Sequence, residues 1–260
     1  MRILSISSQV AWGPVGNTAA VPALQARGHE VIAVPTIMLS NHPGHGTPAG
    51  FRTQPEDISR ILDALDGFGI LAGCDAVFTG YFASPEQVEA AAIVLERMTS
   101  ARPSLYVLVD PVMGDEGGLY VPQPVAEAIR DRLVPLATCI TPNRFELAWL
   151  SGHSVSDEDS AIAAARAIGT PEVLATSIPH YTDQIATLLV TVETYHIATS
   201  LKLAAVANGT GDFLSGLYLA RRLAERAPEA FAGANKILAR AIAMSAGTPV
   251  LDIAGALHGR

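Results

Sequence analysis

Short, almost unbroken apolar runs alternate along this chain with longer segments whose apolar positions recur every three to four residues. The runs Arg2–Ser7, Glu30–Pro35, Ala76–Thr79, Leu105–Asp110, Thr138–Thr141, Val173–Thr176 and Ala186–Thr191 read as strands. Because they are apolar throughout rather than at every second position, they are expected to be covered on both faces. Strand-like and helix-like segments taking turns in this way predict an α/β fold, a mostly parallel central sheet flanked by helices on both faces. Thr53 with Glu56 and Ser84 with Gln87 have capping-box spacing, Pro85 suits a first helical position, and Ser156 with Asp159 is a weaker variant before Ala161–Ile168. In the last third, Asp212–Arg226 and Ala234–Ser245 read as helices with one apolar face. Gly44-His45-Gly46-Thr47-Pro48 is the best candidate for a mobile flap.

In open α/β sheets, ligands bind beyond the carboxyl ends of the strands. Polar residues collect there: Ser7 and Ser8 after the first run, Gly80-Tyr81 after the third, Asp110 at the fourth, Thr141-Pro142-Asn143 at the fifth and Thr176-Ser177 at the sixth. Their convergence on one edge is the strongest functional indication in the pattern.

The densest chemistry lies in Asn208-Gly209-Thr210-Gly211-Asp212, directly before an amphipathic helix in which Phe213, Leu217, Ala220 and Ala224 share a face. A Gly-rich turn feeding a helix N-terminus presents backbone N–H groups to an anion, phosphate above all. Asp212 is a carboxylate where that anion belongs. It is either an ordinary cap or a general base that deprotonates a hydroxyl beside a bound phosphate. Asp110-Pro111-Val112-Met113-Gly114-Asp115 sets two carboxylates around a rigid turn, suited to a cation that neutralises phosphate or to a plain Asp-Pro turn with Asp115 solvated. Glu146 either favours the helix N-terminus after Asn143 or holds metal-bound water. Ser8 contacts a ring substituent or caps a helix, Tyr81 packs on a planar ring or on neighbouring side chains, and His42 meets substrate or the flap.

With 260 residues, 49% of them apolar and 16% charged, the chain suits one well-packed domain spanning residues 1–260. A net charge of −8 argues against nucleic acid as partner. Cys74 and Cys139 are expected to be buried free thiols in a reducing cytosol. The N-terminal run is too brief for a signal peptide and no run spans a bilayer, so a cytoplasmic protein with no membrane partner is expected. His180, His196 and His258 share no metal-ligand spacing. A P-loop, a dinucleotide-binding Gly-x-Gly-x-x-Gly after the first strand and a Gly-x-Ser-x-Gly elbow are all missing from the sequence.

These motifs, in this order over nearly the whole length, resemble the pyridoxal kinases of the ribokinase-like superfamily. The resemblance is carried by Ser5-Ile6-Ser7-Ser8-Gln9-Val10 with Gly16-Asn17, Ser40-Asn41-His42, Gly80-Tyr81, Asp110 to Asp115, Thr141-Pro142-Asn143 with Glu146, Thr176-Ser177 and Gly209 to Asp212. It implies ATP-dependent phosphorylation of the 5′-hydroxyl of pyridoxal, with pyridoxine and pyridoxamine as further acceptors. It implies Asp212 as base and the Gly209, Thr210 and Gly211 amides as anion hole. Asp110, Asn143, Glu146, Thr176, Ser177, Gly209 and Thr210 are then expected at ATP, and Asp110, Asp115, Thr141 and Glu146 at cations. Ser8, Pro43, Tyr81 and Asp212 are expected at the substrate. The family is homodimeric and uses Mg²⁺ or another divalent ion, usually with K⁺ or Na⁺. Pro43 departs from the family, which usually has a substrate-touching Thr there; proline has neither hydroxyl nor N–H. A hydroxymethylpyrimidine or hydroxymethylpyrimidine-phosphate kinase, or a silent pyridoxal- or nucleotide-binding protein, are the alternatives.

Overall fold

The structure, a computed structural model, describes residues 1–259. In chain order its strands and helices are β1 (Arg2–Trp12), α1 (Asn17–Gln25), β2 (Glu30–Asn41), β3 (Gly50–Arg52), α2 (Pro55–Gly67), β4 (Ala76–Thr79), α3 (Pro85–Ala101), β5 (Tyr106–Val109), β6 (Gly114–Asp115), β7 (Gly118–Leu119), α4 (Gln123–Ala128), β8 (Cys139–Ile140), α5 (Arg144–Ser151), α6 (Glu158–Ile168), β9 (Glu172–Pro179), β10 (Gln184–Thr191), β11 (Tyr195–Leu201), α7 (Thr210–Arg222), α8 (Ala227–Met244) and α9 (Ile253–His258). One nine-stranded sheet runs in the order β11-β10-β9-β8-β5-β4-β1-β2-β3. Its six central strands, β9 to β2, are parallel, while β3, β10 and β11 are antiparallel additions at the two edges.

The apolar runs explain the layering. Within β1, Leu4 and Ile6 join the core shared with α2 to α6, whereas Ile3 joins the core shared with α1, α7, α8 and α9. Val77 and Phe78 on β4, and Val107 and Leu108 on β5, divide between the two cores in the same alternating way. Both faces are therefore packed, as the unbroken hydrophobicity requires. Cys74 and Cys139 are buried free thiols. Among the described residues no helix is long and apolar enough to cross a membrane.

Several local expectations shift. β1, β2 and β9 extend well beyond the apolar runs because their polar ends still pair. β3 and β11 escape the pattern altogether. β11 reads Tyr-His-Ile-Ala-Thr-Ser-Leu and is largely exposed, so an edge strand with little core contribution leaves no apolar run. Thr53 does not cap α2. Its Oγ1 donates to the Pro35 carbonyl at 2.7 Å, and Gln54 stands at the N-cap with no side-chain bond. Ser84 does cap α3, accepting from the Gln87 N–H, but Gln87 turns its own oxygen to the Ala83 N–H instead of closing the box. For α6 the box moves one residue, to Asp157 with Ser160. The helix that follows the Gly-rich turn starts two residues earlier than expected, at Thr210. The second helix of the last third starts earlier too, at Ala227.

Candidate active site

The floor of the site is the turn entering α7. Gly209 adopts φ 89°, and a Cβ there would lie 1.8 Å from the Pro14 carbonyl oxygen, so conformation and space both demand glycine. As the N-cap of α7 it offers no side-chain acceptor. The N–H groups of Thr210, Gly211 and Asp212 accordingly lack intrahelical partners and form the positive end of the helix. Asp212, in that first turn, is half-buried. Burial raises its pKa to about 6, against the pull of the Gly16 amide and its own amide.

A cavity of about 620 Å³ opens over this turn. Of the expected site residues, Ser8, Pro43, Tyr81, Asp110, Asp115, Thr141, Asn143, Glu146, Thr176, Gly209, Gly211 and Asp212 line it. They come from β1 and β9, the residues after β2, β4, β5 and β8, the β6–β7 hairpin, the first turn of α5 and the start of α7. Thr210 is in the first turn of α7 but does not line the cavity. Ser177 is not brought to it either. It is exposed, with φ 60°, where the β9–β10 register slips, a bulge that re-aims its side chain. Ser8 caps nothing; α1 has Gly16 at its N-cap without a side-chain bond. Pro43 opens a single helical turn, Pro43–His45, in the expected flap, whose Gly46 carbonyl accepts from Asn41 Nδ2 at 3.1 Å. His42 also lines the cavity. Its Nδ1 accepts from the Gly44 N–H at 3.1 Å, and its pKa is lowered by burial and then by His45.

Four carboxylates line the cavity, those of Asp110, Asp115, Glu146 and Asp212. Asp110 follows β5 and is 6% exposed; burial first, then Asp212 and Glu146, hold its pKa well above the usual carboxylate range. Glu146 is pushed up to about 7 by burial, opposed by the amides of Asn143, Met113 and Gly114 that donate to it. The Met113 N–H reaches Oε1 at 2.9 Å and the Asn143 N–H reaches Oε2 at 2.9 Å. Asn143 and Glu146 form a complete capping box at the start of α5, and Asn143 Nδ2 donates to the Gly114 carbonyl at 2.7 Å. Both side chains thus brace the β6–β7 hairpin against α5 while facing the cavity. Asp115 is exposed, its Oδ1 accepting from the Gly117 N–H at 2.8 Å.

A model of the phosphomethylpyrimidine kinase family matches residues 18–256. A pyridoxine/pyridoxal/pyridoxamine kinase of Bordetella avium is 37% identical over 252 residues, which is 93% of this chain and 84% of that protein. The chain belongs to the pyridoxal kinase family. Among pyridoxal kinases of known structure, that of Entamoeba histolytica matches with a TM-score of 0.93 at 27% identity, covering 99% of this chain and 94% of that one. The Leishmania donovani pyridoxal kinase in complex with ADP and pyridoxine matches with a TM-score of 0.92 at 30% identity and the same coverage.

This pyridoxal kinase family member carries further residues at the cavity. Tyr120, just after the β6–β7 hairpin, and Asn208, just before the Gly-rich turn, line the cavity, with Val10, Val15, Ile37 and Leu39 as its apolar wall. Ser215 is buried beside the cavity and hydrogen-bonds Asp110 Oδ2 at 3.0 Å and Thr141 Oγ1 at 2.9 Å. Its position three residues after Asp212, on the same helix face, was the available clue. The apolar wall left none, since nothing separates its residues from ordinary core.

Proposed function

We propose that this protein transfers the γ-phosphoryl group of ATP to the 5′-hydroxyl of pyridoxal, giving pyridoxal 5′-phosphate and ADP. The observation that carries the reading is the meeting of the Asp212 carboxylate with the open first turn of α7 at one cavity. The family supports it: relatives are named pyridoxal kinases, and the L. donovani member holds ADP together with pyridoxine.

The chemistry follows from the groups present. Asp212 accepts the proton of the primary hydroxyl as that oxygen bonds to the γ-phosphorus and the bond to the β–γ bridging oxygen breaks. With a pKa of about 6 it is ionised at pH 7 to 8 yet a stronger base than an ordinary aspartate. The N–H groups of the Gly209–Gly211 turn face the charge that spreads over the equatorial oxygens. Tyr81 and the apolar wall accommodate the pyridine ring, with Ser8 and Pro43 beside it. Among the described residues no Lys or Arg lines the cavity, so its carboxylates meet no Lys or Arg there.

That donor set fits a cation. Among the described residues no three His, Cys, Asp or Glu side chains form a closed metal cage. Mg²⁺, however, is held by one or two carboxylates completed by phosphate and water. Asp110, Asp115, Thr141 and Glu146 would hold Mg²⁺ or another divalent ion, with K⁺ or Na⁺ alongside; when bound, these cations neutralise phosphate charge. The protein is further proposed to act as a single-domain, cytoplasmic homodimer.

An ADP-release assay with pyridoxal, pyridoxine, pyridoxamine and hydroxymethylpyrimidine tests the reading. Pyridoxal is expected to be turned over. Turnover of the pyrimidine alone would transfer the assignment to that substrate, and ligand binding without ADP release would make the protein a silent binder.

A further inference from the structure

We infer that Trp12 and His45 are positioning residues: they clamp the flap over the acceptor end of the cavity, and the clamped flap aims the Nε2–H of His42 at an oxygen substituent of the acceptor ring, supplying the donor that Pro43 lacks. This rests on the kinase reading above and extends it to recognition of the acceptor.

β1 ends at Trp12, two residues beyond the cavity-lining Val10 and paired with Asn41 of β2. The indole is 54% exposed, and what it covers is His45. The two rings meet edge to face with centroids 5.0 Å apart, inside the range in which aromatic pairs attract. Gly13, at φ 83°, lies so close that a Cβ there would be 3.4 Å from the same imidazole. His45 is thus seated in a corner made by two adjacent residues, and it meets His42 edge to face in turn, at 6.2 Å. The base of the flap is tied separately: Asn41 Nδ2 donates to the His42 carbonyl at 3.0 Å and to the Gly46 carbonyl at 3.1 Å. At the tip, Gly44 fits between His42 and Asn208, where a Cβ would lie 3.0 Å from Nδ1 of the one and Nδ2 of the other. The flap therefore reaches from the end of β1 to the residue before the Gly-rich turn.

This geometry fixes the tautomer of His42. A backbone N–H only donates, so the Gly44 N–H at 3.1 Å makes Nδ1 an acceptor and leaves the proton of the neutral ring on Nε2. Burial, and then His45, favour that neutral form. Among the described residues nothing bonds Nε2, and His42 lines the cavity, so this N–H is left for a ligand. Pro43, next in the chain and lining the same cavity, has no hydroxyl or N–H to give. Pyridoxal, pyridoxine and pyridoxamine all carry a ring hydroxyl whose oxygen accepts a hydrogen bond. Hydroxymethylpyrimidine carries a conjugated exocyclic amine instead, which would set donor against donor. The His42 N–H thus selects the acceptor class as well as holding it.

Calorimetric binding of pyridoxal and of Mg²⁺-ADP to the intact protein, beside steady-state kinetics, decides the matter. Trp12→Ala and His45→Ala should each weaken pyridoxal binding by about 5- to 10-fold, the scale of one neutral hydrogen bond. Mg²⁺-ADP affinity should change less than about 2-fold in both, because sites without shared partners act independently. Trp12→Phe and His45→Phe keep the ring contact and should bind pyridoxal more tightly than the alanine variants. His42→Phe, which keeps the ring and removes the N–H, should lose at least as much as Trp12→Ala. His42→Gln, whose amide N–H reaches the place of Nε2, should recover part of that loss. The double variant Trp12→Ala/His42→Phe should bind no more weakly than the poorer single one, since the clamp acts through His42. Unchanged pyridoxal affinity in Trp12→Ala overturns the inference, as does an equal loss of Mg²⁺-ADP affinity or a double variant whose losses multiply. A wild-type protein that binds pyridoxal yet releases no ADP refutes the kinase reading alone, and calorimetry still decides the clamp. Failure of the wild type to bind pyridoxal refutes the inference.

Discussion

At Asp212 two demands oppose each other. Burial raises the pKa of the carboxylate, which makes it a better base, while the Gly16 and Asp212 amides keep it ionised enough to accept a proton. Asp212→Asn keeps the shape and removes the base, so kcat should fall by at least ~100-fold while the melting temperature holds or rises. Steady-state kinetics beside thermal unfolding checks both halves. The pH profile has a definite sign. The base works deprotonated, so kcat/KM should be lost as pH falls through about 6 and be level above about 7. A profile flat down to pH 5 would contradict a base with this environment. At this scale the sequence was informative where a residue type and its place on the chain both mattered, as for Asp212, Asp110 and Glu146. Ser177 does not line the cavity, and Ser215 is a common residue whose meaning lies only in its two partners.

The helix that carries the base is fixed at both ends. Its N-terminus is the glycine turn pressed against the Pro14 carbonyl. Near its C-terminus, Glu172 accepts from the Tyr106 hydroxyl at 2.6 Å, the Tyr218 hydroxyl at 2.7 Å and Arg222 Nη2 at 2.8 Å. This buried cluster ties α7 to β5 and β9, far from the cavity. Glu172→Ala would strand a partly buried guanidinium and two phenol groups and should destabilise the fold by roughly 3 kcal/mol. Chemical unfolding measures it, and a loss under ~1 kcal/mol would show the cluster to be dispensable. Elements were predictable where burial demanded an apolar run. They were missed at the edges, β3 and β11, where strand pairing alone holds polar or exposed residues in place. Caps failed in a similar way: Thr53 has the right spacing, yet the neighbouring β2 backbone claims its hydroxyl.

Across the molecule, the three carboxylates that are at least half-buried among the four lining the cavity oppose folding when no cation is bound. The folded-state pKa values of Asp110, Glu146 and Asp212 all lie above their ordinary values. The folded protein therefore binds more protons than the unfolded chain between about pH 4 and 7, and its stability falls as pH rises through that window. Asp110→Asn should stabilise the ligand-free protein at pH 8 by roughly 1–3 kcal/mol and lower its activity sharply. Melting curves at pH 5 and pH 8 decide this: the gain should be smaller at pH 5, where protonation already relieves the repulsion. Mg²⁺-ADP should raise the melting temperature at pH 8 through binding linkage.

The sequence by itself determined the layered α/β architecture, because short apolar runs alternating with helix-period segments require strands packed between helices. It also determined the glycine turn with its acid, because that conformation and that chemistry are local properties of five adjacent residues. Only the tertiary structure decided which strand-end side chains meet in the cavity, that Glu146 and Asn143 brace a hairpin as well as face it, and that Ser215 joins Asp110 to Thr141. Those facts depend on distances between segments more than 70 residues apart in the case of Ser215, and no local pattern encodes such distances.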